Sequence, residues 1–184
     1  MACIMFSRPI VLDTGRLIIR EHTKADLALL LPILQDDETM RMYGGGFSYI
    51  ESKRWLSKQF KRYKRDGVGL WAVMLKDRNE FIGQCGILYQ DWGGVLLPCI
   101  GYVFNKLHWH NGYATEAVLS CVSFALDILG LESVYAIIPD TNLPSQRVAE
   151  RCGFEQRSIS HKVYNGIKHC VYLYVKDRQC ADGV

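Results

Sequence analysis

The most constraining feature of this 184-residue chain is a strand, a turn of small residues and a helix that follow one another without a break. The strand is LLPCIGYVF, Leu96 to Phe104, and the turn lies in HWHNGYAT, which follows after three residues. Apolar residues then recur at helical spacing, namely Ala117, Val118, Cys121, Val122, Ala125, Leu126 and Leu129. The first N–H groups of a helix lack partners and face a positive dipole end, so a turn that lets the backbone approach closely can wrap a phosphate.

Taken alone, this turn has two interpretations. It is a phosphate-binding turn with Gly112 and Ala114 as its small residues, or merely the connection before a helix. It is not a P-loop, because no Gly-Lys-Ser/Thr follows, and it lacks the three-glycine spacing of a dinucleotide-binding turn.

The rest of the chain predicts mixed strands and helices in one domain, residues 1–184, with no repeat and no long linker. RLIIR (16–20) is a short strand, Thr23 with Asp26 begins a helix that Pro32 shortens or kinks, and Ser48 with Glu51 begins a helix that Gly67 ends. Further strands lie in LWAVMLK, FIGQCGILYQ and LESVYAIIP. DTNLPSQRVAERCGF then predicts a short helix, and Asn165-Gly166 predicts a final hairpin.

Composition narrows the class of protein. The chain is 49% hydrophobic and 22% charged, as in ordinary globular domains, and its net charge of +3 argues for neither a nucleic-acid nor a membrane partner. Its seven cysteines are scattered without a CxxC pair, which predicts reduced thiols in the cytoplasm rather than disulfides or zinc. The first residues lack the pattern of a signal peptide, and no segment reaches the roughly 18 apolar residues of a membrane span.

The helix after Ser48 carries seven basic residues between Lys53 and Arg65 and no acid. One interpretation is a patch for nucleic acid or phosphate. The preferred one is a solvated face, because Trp55, Leu56, Phe60 and Tyr63 already supply a buried stripe.

Three segments together resemble a known family: TGRLIIR near the start, IGYVF followed by WHNGYATEA, and NLPSQRVAERCGF. They resemble the GNAT superfamily of acetyl-coenzyme A-dependent N-acetyltransferases, and within it the branch of the ribosomal-protein N-terminal (alanine/serine) acetyltransferases. The resemblance runs from about residue 14 to residue 176. It implies an α+β fold, with a mixed, mostly antiparallel sheet of about seven strands that is splayed at its centre and flanked by helices on both faces.

The resemblance also implies a site. Coenzyme A would enter the splay, pair its pantetheine arm with backbone groups of Tyr102 and Phe104, and reach Asn142. The N–H groups of the turn would hold its pyrophosphate, which brings in Trp109, His110, Asn111, Gly112, Tyr113, Ala114 and Thr115. An amine would attack the acetyl carbonyl directly, with a backbone N–H near Phe104 stabilising the oxyanion and Ser145, or a water, giving a proton to the thiolate.

The chain departs from the family pattern at three positions. Cys99 stands where many relatives have a glutamate, Ala149 stands where many have a tyrosine acid, and His110 replaces a small turn residue. Ser145 is therefore the predicted catalytic residue, against the alternative that its hydroxyl only bonds the helix start. Cys99 is read as a buried strand cysteine rather than an acyl-accepting nucleophile. No metal is predicted, since His108 and His110 have no ligand partner at useful spacing.

The predicted partners are acetyl-coenzyme A and an amine acceptor, either a protein or peptide N-terminus or a small amine, for a monomer or homodimer. The Gly44 to Tyr49 segment, Trp92-Gly93-Gly94 and the turn at Tyr164-Asn165 are candidate walls of the acceptor site, with Glu38 and Asp91 as candidate carboxylates for a cationic amine. A catalytically silent acyl-coenzyme A-binding module is the alternative, because Cys99 and Ala149 replace two groups used in catalysis.

Overall fold

Eight strands form one sheet in the computed structural model, which describes residues 10–164 and 167–179. The strands are β1 (Ile10–Asp13), β2 (Leu17–Arg20), β3 (Leu70–Leu75), β4 (Glu80–Trp92), β5 (Val95–Phe104), β6 (Ser133–Pro139), β7 (Glu155–Tyr164) and β8 (Ile167–Asp177). Their order across the sheet is β1-β2-β3-β4-β5-β6-β8-β7, and every pair except β5 and β6 is antiparallel. The predicted α+β class is confirmed, with one strand more than the seven expected.

The additional strand is β1, which the sequence did not predict. It has four residues, and its pairing with β2 shifts between Ile10 and Leu12. A run this short carries too little alternation to be recognised, since its pairing depends on β2 and not on its own pattern.

Four α-helices cover the sheet, and their ends follow local signals in the sequence. They are α1 (Leu27–Leu34), α2 (Tyr49–Asp66), α3 (Tyr113–Ser123) and α4 (Leu143–Arg151). At the start of α2 the Ser48 N–H donates to Glu51 Oε2 at 2.8 Å and the Glu51 N–H donates to Ser48 Oγ at 3.3 Å, which confirms the predicted capping box. Gly67 ends α2 with a left-handed φ of 72°, and α1, which contains Pro32, has only eight residues.

The helices lie on opposite faces of the sheet. Residues of β3 alternate between two cores: Trp71 and Val73 face the core that contains α3 and α4, whereas Ala72 and Met74 face the core that contains α1 and α2. The predicted cover of helices on both faces is therefore confirmed.

The sheet opens between β5 and β6. The parallel pairing of these two strands is limited to Cys99 with Tyr135, so within the described residues no strand pairs with the carboxyl-terminal half of β5 on that side. On its other side β5 remains paired with β4 as far as Phe104. The splay predicted from the family resemblance is present at this position.

The helix after the turn is less regular than its apolar spacing predicts. Five residues of π-helix, Phe124–Ile128, continue α3, and the Leu129 N–H donates to the Phe124 carbonyl at 2.9 Å. The wider turns keep Ala125 and Leu126 in the core but rotate Leu129 outward, where it is 42% exposed. Leu129 was predicted on the buried stripe, and the π-helical turn is the reason it is not there.

The predicted last hairpin is formed by β7 and β8, whose register runs to Tyr164 opposite Ile167. The turn residues Asn165 and Gly166 lie outside the described residues. Among the helices of residues 10–164 and 167–179, none has the length and apolar composition needed to cross a membrane.

Candidate active site

The exposed edge of β5 presents backbone groups to the opening. The N–H of Asn105, next to the strand end, donates to Ile82 of β4 at 2.9 Å. Because backbone groups alternate in direction along a strand, Val103 also faces β4, whereas Tyr102 and Phe104 face the opening. The two residues predicted to pair with a pantetheine arm thus have their backbone groups on the unpaired edge.

Trp109 fixes the strand end to the turn. Its indole Nε1 donates to the Phe104 carbonyl at 2.9 Å and so occupies one of the two acceptor positions of that oxygen. Trp109 is 37% exposed, so part of the residue remains accessible to solvent beside this strand end.

The turn before α3 has the backbone shape of an anion cradle. His110 and Gly112 have left-handed φ values of 63° and 79°, and Gly112 is the N-cap of α3. Within the described chain, none of the N–H groups of residues 110–115 donates to a protein acceptor. Alternation of right- and left-handed residues at a helix start directs such N–H groups to a common point, where a phosphate is favoured.

The first turn of α4 lies on the other side of the opening. Asn142 is the N-cap, and its side-chain oxygen accepts the Ser145 N–H at 3.4 Å. The Tyr102 hydroxyl donates to the Ser145 carbonyl at 3.2 Å and so connects β5 to α4. Burial raises the pKa of Tyr102 well above its usual value, which keeps the hydroxyl protonated.

Ser145 is predicted to be a proton donor, with a bond to the helix start as the alternative. Asn142 fills the capping role, and the Ser145 side chain lies beside the Tyr102 hydroxyl. The helix start thus has a cap other than the Ser145 hydroxyl, and the proton-donor role of Ser145 stays a prediction.

Of the three positions that depart from the family pattern, His110 is exposed, whereas Cys99 and Ala149 are buried in the core. Cys99 is 0% exposed, and burial raises the pKa of its thiol to about 12. The ionised thiolate form, which a cysteine nucleophile needs, is therefore disfavoured. Ala149 is 3% exposed and packs with α3 and β6 in the core. Neither residue supplies an acid or a base.

The proposed acceptor walls contain carboxylates that already have partners. Lys106 Nζ lies 2.7 Å from Asp36 and 3.3 Å from Glu38, and the Asp91 carboxylate accepts the Gly94 N–H at 3.1 Å. The segment before α2 also reaches α4, since the Thr141 hydroxyl donates to the Met42 sulfur at 3.8 Å. Of the third candidate wall, Asn165 lies outside the described residues.

The basic residues of α2 belong to a different part of the sequence from the turn at 110–115 and the first turn of α4. They line a surface cavity of about 630 Å³. Its lining comprises Lys58, Lys61, Arg62, Lys64, Arg65 and Tyr89. Leu56 and Gln59 on the same helix are buried, so the cationic side chains occupy the opposite, solvated face as the preferred interpretation predicts. In the part of the chain that the structure describes, no group of three or more His, Cys, Asp or Glu side chains is arranged to hold a metal ion.

Sequence reasoning missed three residues that support the turn. Glu116, in the first turn of α3, accepts hydrogen bonds from the Thr14 hydroxyl at 2.6 Å and from Arg16 Nε at 2.7 Å. All three lie in segments that carry the family resemblance, TGRLIIR and WHNGYATEA. The bonds from Thr14 and Arg16 to Glu116 join segments about 100 residues apart, so no local sequence pattern predicts them. The available signal was that one segment contains a basic residue and the other an acidic residue.

Comparison with known proteins agrees with this geometry. The family model described as an acetyltransferase (GNAT) domain matches residues 16–155. YkkB, an uncharacterised protein of Bacillus subtilis, is 34% identical over 152 residues, covering 82% of this chain and 88% of its own. YoaA, an uncharacterised N-acetyltransferase of the same organism, is 29% identical over 177 residues, covering 92% and 98%.

A solved structure shows the same fold. It is RimL, a ribosomal L7/L12 alpha-N-protein acetyltransferase in complex with coenzyme A, with a TM-score of 0.75 at 14% identity, covering 92% of this chain and 98% of that one. The sheet that opens between β5 and β6, with an amide-lined turn at one side, is the architecture of an acetyltransferase. The chain belongs to the GNAT family of acetyltransferases.

Proposed function

We propose that this protein transfers the acetyl group of acetyl-coenzyme A to a primary amine by direct attack of the amine. The observation that carries the proposal is the unpaired edge of β5 between the amide-lined turn at 110–115 and the first turn of α4. The pantetheine and its thioester would lie along β5, the phosphates would lie at the turn, and a proton donor would be supplied from α4.

In this proposal the pantetheine arm lies along β5 as an added strand. The backbone groups of Tyr102 and Phe104 face that edge. Those of Tyr102 and the second acceptor position of the Phe104 carbonyl would bond the amides of the arm, which leaves the Phe104 N–H for the oxyanion. Asn142 keeps its side-chain nitrogen for the same arm, because only its oxygen is used by the helix cap. The N–H groups of residues 110–115 would hold the pyrophosphate, whereas the Trp109 N–H, predicted to take part, already donates to the Lys106 carbonyl at 3.2 Å.

The chemistry follows from these placements. A neutral amine nitrogen forms a bond to the acetyl carbon while the carbon–sulfur bond breaks. A backbone N–H near Phe104 would stabilise the oxyanion, and the Ser145 hydroxyl would give its proton to the departing thiolate. The proton that the nitrogen loses then restores the hydroxyl by way of solvent. Ser145 is favoured for this role because it lies in the first turn of α4, beside the Tyr102 hydroxyl, and Asn142 already supplies the helix cap.

The acceptor is proposed to be either a protein or peptide N-terminus or a small amine, and the protein is placed in the cytoplasm. The described cysteines are all free thiols, in keeping with a reducing compartment. The comparison with RimL bears on the fold, and what that enzyme acetylates is a property of that enzyme.

A second candidate is a catalytically silent module that binds acyl-coenzyme A. The burial of Cys99 and Ala149 favours it, since the places of a base and an acid are filled by groups that cannot act as either. Both candidates share the coenzyme site and differ only in turnover.

Release of free thiol from acetyl-coenzyme A, measured with a panel of peptides and small amines, separates the two candidates. Amine-dependent release supports the acetyltransferase. Tight binding of coenzyme A without release on any amine would favour the silent module.

Coenzyme A is expected to stabilise the folded chain. A ligand that fills the opening binds only the native state, so at 100 times its dissociation constant it should add about 2.7 kcal/mol to the free energy of unfolding. For a chain of this size the melting temperature should rise by roughly 5 to 10 °C, measured by differential scanning fluorimetry or calorimetry. An unchanged melting temperature at saturating coenzyme A would contradict both candidates.

A further inference from the structure

A hydrogen-bonded network connects the start of β2 to the start of α3. Glu116 Oε1 accepts the Thr14 hydroxyl at 2.6 Å and the Arg16 N–H at 2.8 Å, while Glu116 Oε2 accepts Arg16 Nε at 2.7 Å. The Glu116 side chain is 19% exposed, and its burial and its hydrogen bonds act in opposite directions on the pKa of the carboxyl group. Burial raises the pKa of Glu116, but the bonds from Thr14 and Arg16 outweigh it and hold that pKa below its usual value.

Arg16 extends this network to the turn itself. Its Nη1 donates to the carbonyl of Asn111 at 3.0 Å, and its guanidinium carbon lies 4.6 Å from the centre of the Tyr113 ring. The planar guanidinium of Arg16 thus contacts the residues on both sides of Gly112. Its Nη2 lies 3.5 Å from the point where a Cβ on Gly112 would stand.

The charges of Glu116 and Arg16 affect whether the adjoining turn can bind an anion. A carboxylate in the first turn of α3 suits the helix dipole, but unneutralised it would repel a phosphate held by the adjoining N–H groups. Arg16 neutralises that carboxylate. By bonding the Asn111 carbonyl it also holds a backbone acceptor away from the side on which an anion would sit.

We propose that Arg16, held by Glu116 and Thr14, is a positioning residue that keeps the 110–115 turn in its anion-binding shape. This role rests on the proposed function, because the anion in question is the pyrophosphate of coenzyme A. Arg16 acts through the turn, so its loss weakens coenzyme binding and leaves the chemical step intact.

Arg16→Met tests this role, since methionine keeps an unbranched stem against Tyr113 and removes both side-chain bonds. The dissociation constant for coenzyme A should rise about tenfold, or about 1.4 kcal/mol. With an amine found active in the panel, KM for acetyl-coenzyme A should rise similarly while kcat stays within about twofold. Unchanged affinity, or a fall in kcat as large as the rise in KM, would overturn the positioning role.

Two further variants sharpen the test. A lysine at position 16 keeps the charge but cannot bond Glu116 and Asn111 together, so Arg16→Lys should remain at least about threefold weaker in coenzyme binding than the wild type. Wild-type affinity in Arg16→Lys would show that charge alone suffices and would overturn the bridging role.

Arg157→Met is the matched control for general effects of losing an arginine. Arg157 is 54% exposed against 51% for Arg16, and it pairs with Glu155 and Asp177 on β7 and β8 at 3.2 and 3.3 Å. Its coenzyme affinity should equal that of the wild type, and a loss as large as that of Arg16→Met would overturn the assignment. A wild-type protein that binds no coenzyme A would remove the proposed function and this role together, whereas normal wild-type binding with an unaffected Arg16→Met removes the positioning role alone.

Discussion

Ser145→Ala is expected to lower kcat by about 10²-fold or more, because positioned proton transfer contributes about 10² to 10⁴ in rate. A thiol has a reference pKa of about 8.5, so the departing thiolate gains from a nearby proton donor. The affinity for coenzyme A should change by no more than about twofold, since the hydroxyl is needed only as the carbon–sulfur bond breaks. Steady-state kinetics on a verified acceptor, with coenzyme A binding measured separately, provide the test.

Full turnover by Ser145→Ala would assign the proton to water. The Tyr102 hydroxyl is the poorer alternative source, because its proton is already donated to the Ser145 carbonyl at 3.2 Å. A hydroxyl engaged in this way suits the support of α4 better than acid catalysis.

Asn142 provides the contrast that gives the Ser145 result its meaning. Its amide is proposed to bond the pantetheine in ground and transition states alike, so Asn142→Ala should weaken coenzyme A binding more than it lowers kcat. Alanine also removes the N-cap of α4, which costs about 1 kcal/mol of stability. Asn142→Ser keeps a capping oxygen and removes the amide, so a loss of affinity shared by both variants belongs to the ligand contact and not to the cap.

The elements that the sequence predicted well are those with local causes. The capping box of Ser48 and Glu51 and the left-handed Gly67 each act within a few residues, so the sequence alone sets both ends of α2. The position of Pro144 in the first turn of α4 is equally local. Alternation and helical spacing likewise placed β3 to β6 in their observed order along the chain.

The features that the sequence did not predict depend on contacts between distant segments. The pairing of β1 with β2 and the bonds from Arg16 to Glu116 form only once the sheet and α3 are assembled. The π-helical segment Phe124–Ile128, after which Leu129 is 42% exposed, also had no signal in the apolar spacing. For the site, the residues alone left open a phosphate-binding turn or a simple connection before a helix, and the opening of the sheet was inferred from the resemblance to the family.

Gly112→Val is expected to weaken coenzyme A binding by between tenfold and a hundredfold, about 1.4 to 2.7 kcal/mol. Gly112 has a φ of 79°, which a β-branched residue adopts only with strain, and a valine side chain would stand where the pyrophosphate must approach the backbone. In the protein itself the position is open, since the nearest atom to a Cβ there is Arg16 Nη2 at 3.5 Å. The loss should therefore appear in ligand binding, measured by calorimetry on the folded variant.

Gly130→Val separates backbone strain from the loss of the site. Gly130 also has a left-handed φ, 69°, and a Cβ there meets nothing within 4 Å, but it lies beyond the π-helical end of α3 and not in the turn. Both variants should lose comparable stability from strain, about 1 to 2 kcal/mol, while only Gly112→Val should lose affinity for coenzyme A. If a folded Gly112→Val protein binds coenzyme A as tightly as Gly130→Val does, the 110–115 turn does not hold the pyrophosphate. The unpaired edge of β5 would then remain as the part of the opening that supports coenzyme binding.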